Sequence, residues 1–477
     1  MLLSLLTALY VLCALALTAF ALGTTVLLIT YLRHRNDLIT ASQVGEFPKV
    51  AVQLPVYNER YVVERLIKAV AALDYPREKL IIQVLDDSTD DTSAIIARVV
   101  APLKARGVQI EHIQRPNREG FKAGALAYGL SLIDVEYTVV LDADFVLPRD
   151  FLLRTLPALI NNPDVGMVQT RWGHLNRDDN ALTKGQALAL DGHFVVEQTA
   201  RSRSGLLMNF NGSGGVWRVK AIHEAGGWQD TTLTEDLDLS YRAQLIGWRF
   251  LYLPDVVVPG ELPPEIAAYK QQQARWAKGG TQCFALLFRP VWTHPRLTLM
   301  QKLMATMHLA QYLVHPVIIV MILVTPPLLL TGAFKNISLG WLGIVGLGPP
   351  ILYVISQQAI YGDWQRRVLA LPTLIALGTG MAWSNTRAVM GGFFLSRKEE
   401  FKRTPKFAQQ RTRGSYARLS NRSFLFELLL SLYAGWGVIV AYRAAPTFIP
   451  YLLVYAVAFG LIAWWGVRDS LRWRLRP

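Results

Sequence analysis

The sequence predicts an α/β domain with a mostly parallel sheet, set between apolar helices long enough to cross a bilayer. Three observations carry this. Apolar residues gather in the first 32 positions and again after residue 300, while residues 47 to about 290 have the composition of a soluble domain. Within that middle region short apolar runs alternate with segments of helical period, the pattern of strands joined by crossover helices. Two of the runs end in acidic clusters, and such sheets bind ligands at the carboxyl ends of their strands.

Leu2 to Leu32 is nearly free of charge and ends in Arg33-His34-Arg35. A signal peptide carries its basic residues before a shorter apolar run. About 20 residues suffice to span a bilayer, so residues 1–35 are expected to be a membrane helix with its basic end in the cytoplasm. The soluble region, 47–290, opens with a strand at Lys49 to Leu54 and a helix at Tyr61 to Leu73. Leu80 to Leu85, Val108 to Ile113 and Tyr137 to Leu141 are further strands, separated by helices at Thr92 to Lys104 and Phe121 to Leu132. Residues 291–477 form an expected membrane domain, with spans at Met304 to Leu330, Leu339 to Ile360, Phe424 to Tyr442 and Phe448 to Trp465. The loop Ser396 to Arg422 holds nine basic residues, which places it in the cytoplasm. Leu369 to Phe394, which carries Asn385 and Arg387, must then begin and end on one side, as an interfacial or re-entrant helix does. The expectation is a multi-pass protein of the cell (inner) membrane with its α/β domain cytoplasmic.

The net charge of +14 admits nucleic acid, an anionic membrane surface or anionic substrates as partners. The basic residues flank the apolar blocks, and no zinc-finger or RNA-binding signature is present, so nucleic acid is excluded and membrane lipids are expected. The two cysteines, Cys13 and Cys283, lie in different regions and support neither a disulfide framework nor a cysteine metal site.

Four clusters carry chemistry. Asp142-Ala143-Asp144 ends a strand, and its carboxylates with diphosphate oxygens suit a hard cation such as Mg²⁺ or Mn²⁺; alone, Asp-x-Asp is equally a solvated loop. Asp86-Asp87 ends another strand on the same rim, and Asp87 to Asp91 is also good helix-capping sequence. Thr234-Glu235-Asp236 reads as a capping sequence, and a carboxylate fixed at a helix start can serve as a general base. Gln272, Arg275 and Trp276 share one helix face. Arginine clamps phosphate and an indole stacks on a sugar, although Trp and Arg also suit lipid headgroups.

Taken in order, Pro55-Val56-Tyr57-Asn58-Glu59, Asp86-Asp87-Ser88, Lys122-Ala123-Gly124, Asp142-Ala143-Asp144, Thr234-Glu235-Asp236 and Gln272-x-x-Arg275-Trp276 resemble glycosyltransferase family 2, and its cellulose synthase-like members most closely. Phe210 to Arg218 resembles the mannan synthase-like branch. The motifs cover roughly residues 50 to 280. The resemblance implies a GT-A-type, Rossmann-like domain inserted between transmembrane helices. It implies that Tyr57, Glu59, Asp87, Lys122, Asp142, Gln272 and Arg275 bind a nucleotide-sugar and that Asp144 binds the metal. Asp236 would be the catalytic base, with Trp276 and Glu235 meeting the acceptor. Phe401, Thr404 and Lys406 match a mobile gating loop of cellulose synthases, which departs here at Arg403 and at Pro405, a stiffening residue.

The implied reaction is an inverting transfer from UDP-glucose or GDP-mannose to a growing β-linked polysaccharide, coupled to passage through the membrane past aromatic residues such as Trp341, Tyr353 and Trp383. Two alternatives stand beside it: a transferase that adds one or a few sugars to a diacylglycerol or polyprenyl lipid, and a transporter or scaffold with an inactive domain. The full acidic set and the few charges within the spans weigh against the last. The sequence names no accessory export protein.

Overall fold

The computed structural model describes residues 1–37, 45–336, 346–394 and 424–474. The basic loop with Phe401, Thr404 and Lys406 lies outside them, as does Trp341.

The middle region is built on one seven-stranded sheet. Its strands are β1 (Val50–Val56), β2 (Leu80–Asp86), β3 (Ile110–Gln114), β4 (Tyr137–Val140), β5 (Val165–His174), β6 (Gly215–Arg218) and β7 (Arg249–Gly260), in the spatial order β3-β2-β1-β4-β6-β5-β7. β1 pairs in parallel with β2 and β4, β2 with β3, and β5 with β7; β6 is antiparallel to both neighbours. The sheet is therefore mixed at β6, whose four residues are too few to show a period. Alternation along β1 sends Val50, Val52, Leu54 and Val56 into one core layer, with Leu66, Ile67, Ile96 and Phe151 from the covering helices. On the other face Gln53 is fully buried and donates to Gln83 Oε1 at 3.0 Å and to the Leu126 carbonyl at 3.2 Å, so its amide nitrogen is satisfied.

Register places the acidic clusters together. Val56 pairs with Asp86, and Gln53 with Val140, so β1, β2 and β4 run out at one edge. Tyr57, Asp87 and Asp142 leave the sheet there. Asn58, at a positive φ of 57°, ties two of these exits together: its amide donates to Ser88 Oγ at 2.9 Å, and its Oδ1 accepts from the Thr89 amide at 2.8 Å.

Four helices among the described residues are long and apolar enough to cross a membrane: Leu2–His34, Gln311–Leu330, Phe424–Ala444 and Pro446–Leu471. The second starts later than expected. The chain forms a separate helix, Leu299–Leu309, and turns at Ala310, ahead of Pro316, whose ring cannot continue a helix begun upstream. In the stretch expected to span from Leu339, the described helix is Gly348–Ile360, 13 residues or about 20 Å, shorter than the roughly 30 Å hydrocarbon core. Residues 337–345 are outside the described set. Trp364–Gly380 and Ala382–Phe393 form a pair bent by 45°, the geometry of a broken span or a re-entrant loop.

The helix Ile266–Thr293, 28 residues long, joins the two regions. Its first amide donates to Asp469 Oδ2 (3.0 Å) on the last apolar helix. Lys270 pairs with Glu427 at the start of Phe424–Ala444 (Nζ to Oε1, 2.6 Å), both side chains buried.

Candidate active site

Every site residue expected from the sequence, apart from those in the basic loop, lines one cleft of about 530 Å³ at the strand exits. Tyr57, Glu59, Asp87, Asp142 and Asp144 come from the sheet edge, Lys122 from the first turn of the helix Phe121–Ser131, Glu235 and Asp236 from the helix Glu235–Leu245, and Gln272, Arg275 and Trp276 from the helix Ile266–Thr293. Gln311, Tyr312 and His315 of an apolar helix border the same space.

Asp87 accepts from Arg115 through both oxygens (Nε to Oδ1, 2.9 Å; Nη2 to Oδ2, 2.5 Å), a fork geometry that fixes the carboxylate. The guanidinium of Arg118 lies 3.3 Å above the Tyr57 ring. Neighbouring Asp86 serves the fold: it accepts from Ser93 Oγ and the Ser88 amide and meets His112 Nε2 at 2.8 Å. Burial alone would raise its pKa, but these bonds outweigh burial and bring it to about 2.

Lys122 is the electrostatic centre. Its ammonium donates to Asp142 Oδ1 at 2.6 Å and to the Gly212 carbonyl at 2.8 Å, and lies 3.5 Å from Glu235 Oε1. Burial opposes the charge, yet Asp142 and Glu235 hold its pKa above the usual lysine value. Glu235, expected beside the acceptor, is thus paired to a lysine that also holds Asp142. Burial pulls the Arg275 pKa down, against the carboxylates of Asp142, Glu235, Asp236 and Asp144.

Asp236 occupies the first turn of its helix and accepts from the Leu237 amide at 2.9 Å through Oδ1. The capping box expected at Thr234 does not form, because the Thr234 hydroxyl meets Cys283 Sγ at 3.4 Å instead. Burial first, then the Glu235 carboxylate, push the Asp236 pKa up to about 7 against the pull of Lys122. A base in this range is matched to taking a proton near neutral pH. The pH profile of kcat/KM, which reports the free protein, is accordingly expected to rise through about 7 and flatten above it. In Glu235→Gln, which removes a raising charge, the rise moves to lower pH.

The turn Asn211-Gly212-Ser213 organises this group, and no role was assigned to it from sequence. Gly212 has φ +81°, and a Cβ there would sit 2.9 Å from Asp236 Oδ2. Ser213 Oγ accepts from the Asp142 amide at 3.0 Å, and the Ser213 carbonyl accepts from Trp172 Nε1 at 2.9 Å. Three glycines in Gly212-Ser213-Gly214-Gly215 were the available signal of a tight backbone approach.

Among the described residues no group of three or more His, Cys, Asp and Glu side chains could hold a metal by itself. Asp142 and Asp144, the latter buried at the strand exit, are hard oxygen donors that fit a cation shared with a diphosphate.

Residues 48–279 match the family model described as glycosyltransferase like family 2. The chain carries a family 2 glycosyltransferase domain. Curated relatives of this transferase domain include glucomannan 4-beta-mannosyltransferase 1 of Oryza sativa subsp. japonica, 43% identical over 279 residues that cover 57% of this chain and 54% of the relative. Glucomannan 4-beta-mannosyltransferase 2 of Arabidopsis thaliana is 46% identical over 244 residues, 50% of this chain and 46% of the relative. The chain spans about half the length of these relatives. Among solved structures, the mannosyltransferase PcManGT from Pyrobaculum calidifontis, in complex with GDP-Man and Mn2+, superposes with a TM-score of 0.54 at 22% identity, covering 81% of this chain and 99% of that one. That likeness shows the fold of the transferase domain, a GT-A-like mixed α/β sheet.

Proposed function

We propose that this chain is a multi-pass membrane glycosyltransferase that moves a hexose from a nucleotide-sugar to a β-linked glycan with inversion at the anomeric carbon. The observation that carries the reading is the convergence of Asp236, Lys122, Arg275 and the Asp142–Asp144 pair on one cleft. GDP-mannose is the first donor to test, in keeping with the names of the relatives and the ligand of the superposed mannosyltransferase. In this reading Tyr57 and Asp87 hold the base, and Lys122, Arg275 and Gln272, which line the same cleft, hold the diphosphate. Asp236 takes the proton of the acceptor hydroxyl as that oxygen bonds to the anomeric carbon. The bond from that carbon to the diphosphate breaks on the opposite face, so an α-linked donor gives a β-linked product. Asp144, with Asp142 beside it, would hold Mg²⁺ or Mn²⁺, which supplies charge neutralisation to the departing diphosphate. Lys122 and Arg275 add fixed positive charge in a half-buried site, where it is worth more than in water.

The cleft borders Gln311, Tyr312 and His315 at the start of an apolar helix. That contact supports passage of a polymer along the helices, and equally supports the second reading, a lipid acceptor arriving from the bilayer. One experiment separates them. The purified protein is supplied with Mn²⁺ or Mg²⁺ and a panel of nucleotide-sugars, nucleotide release is followed, and the product is sized. Release from GDP-mannose with a β-linked oligomer as product is expected. A short glycolipid extractable in organic solvent replaces the first reading with the second, and no release from any donor removes both.

A further inference from the structure

The cleft has a second polar wall that the roles above do not use. After Asp191 the chain makes a π-helical turn, Gly192–Gln198. Such turns are rare and occur frequently at functional sites. This one brings His193 and Glu197 to the cleft, where each is about a quarter exposed (24% and 27%). His193 lies between two oxygens: Nδ1 is 2.9 Å from Glu197 Oε2, and Nε2 is 3.0 Å from Asn211 Oδ1. Asn211 directly precedes Gly212, the residue packed against Asp236, so this polar wall ends beside the base. Two atoms along it are left with unused capacity. Asn211 Nδ2 is buried without a partner among the described residues, and Glu197 Oε1 makes no bond among them.

Charge decides what such a wall can bind. Burial would raise the Glu197 carboxyl, but the bond from His193, its charge and that of Arg201 outweigh burial and hold the pKa below the usual value. A fixed carboxylate repels a diphosphate and accepts from neutral hydroxyls. The phosphate-fitted groups, Lys122 and Arg275, come from two other helices, Phe121–Ser131 and Ile266–Thr293. Beside the turn the Tyr353 ring, which also lines the cleft, packs so closely that a Cβ on Gly192 would meet it at 2.6 Å. Carboxylate, imidazole, amide and ring together are the groups that hold a pyranose, by its hydroxyls and by its C–H face.

We propose that Glu197 and His193, with Asn211 and Tyr353 beside them, form the subsite that holds the terminal sugar of the acceptor while Asp236 takes the proton of its attacking hydroxyl. This rests on the transferase reading above. Glu197 and His193 are positioning residues, and they select the acceptor rather than the donor.

The test uses the full chain in lipid nanodiscs with GDP-mannose, Mn²⁺ and mannotetraose as added acceptor. Glu197→Gln is expected to raise the mannotetraose KM about tenfold, the cost of one hydrogen bond to a charged group, while the Kd for GDP-mannose stays within about twofold. Glu197→Asp, which keeps the charge, is expected to fall between the two. An unchanged mannotetraose KM overturns the proposal. A parallel weakening of donor binding overturns it too, since that is what a prop for Asn211 and Gly212 would give. If Glu197→Gln does not fold, His193→Gln takes its place with the same two readouts. Wild-type protein that releases no nucleotide from any donor removes the transferase reading, and this proposal with it.

Discussion

Asp236→Asn is expected to lower the transfer rate by at least about 10³-fold, toward the upper end of what a general base contributes. Asparagine keeps the shape at the helix start and can still accept from the Leu237 amide, so the fold has no reason to change. It cannot take a proton. It also removes a negative charge from a cleft already crowded with Asp142, Asp144 and Glu235, and a diphosphate gains from that removal. Donor binding is therefore expected to hold or tighten while turnover disappears. The measurement is single-turnover transfer at saturating donor, with donor affinity determined separately by calorimetry. A variant that keeps more than about a tenth of wild-type turnover would remove Asp236 from the role of base, whatever its position in the cleft.

Gly212→Ala is expected to lower kcat by about 10²-fold, because displacement of a catalytic group by roughly 1 Å costs that much. Two causes act at this position and can be separated. The φ of +81° disfavours any side chain, a strain on the order of 1 kcal/mol. In addition, the new Cβ would lie 2.9 Å from Asp236 Oδ2 and 3.4 Å from Lys122 Nζ, so the base or its neighbour must move. Gly205→Ala isolates the first cause: φ there is +70°, with nothing within 4 Å of the added carbon. The two variants are expected to lose similar thermal stability, with only Gly212→Ala losing rate. Equal rates in both would mean that Gly212 matters for backbone shape alone.

Much of this site was legible in the sequence because its residues sit where strands and helices begin or end. Asp87 and Asp142 follow apolar runs that could only be parallel strands, and parallel strands put their exits on one edge. Gln272, Arg275 and Trp276 fell on one helix face by spacing alone. The order of the motifs then linked Asp236 to them, although its local sequence reads as an ordinary helix start. What was not legible depends on chain paths without a period. His193 and Glu197 reach the cleft through a π turn that shifts the register of a helical segment. The Asn211–Ser213 turn matters through its backbone, which a side-chain pattern does not report. Thr234 looked like a cap, but Cys283, 49 residues away, takes its hydroxyl. The apolar run from Met304 carried no sign of its break at Ala310 except Pro316, which is tolerated near a helix start as well as inside a kinked one.

On the proposed reading, the two polar anchors of the helix Ile266–Thr293 give the bilayer a hand in the chemistry. Asp469 and Glu427 grip that helix at its first amide and at Lys270, about two and a half and one and a half turns before Arg275. Arg275 and Trp276 are therefore set by how two apolar helices stand against the helix Ile266–Thr293. A version of this protein trimmed to its sheet domain keeps the acidic rim and loses the frame that aims the opposing wall. On the proposed membrane reading, lipid thickness, which tilts membrane helices, becomes a setting of the active site.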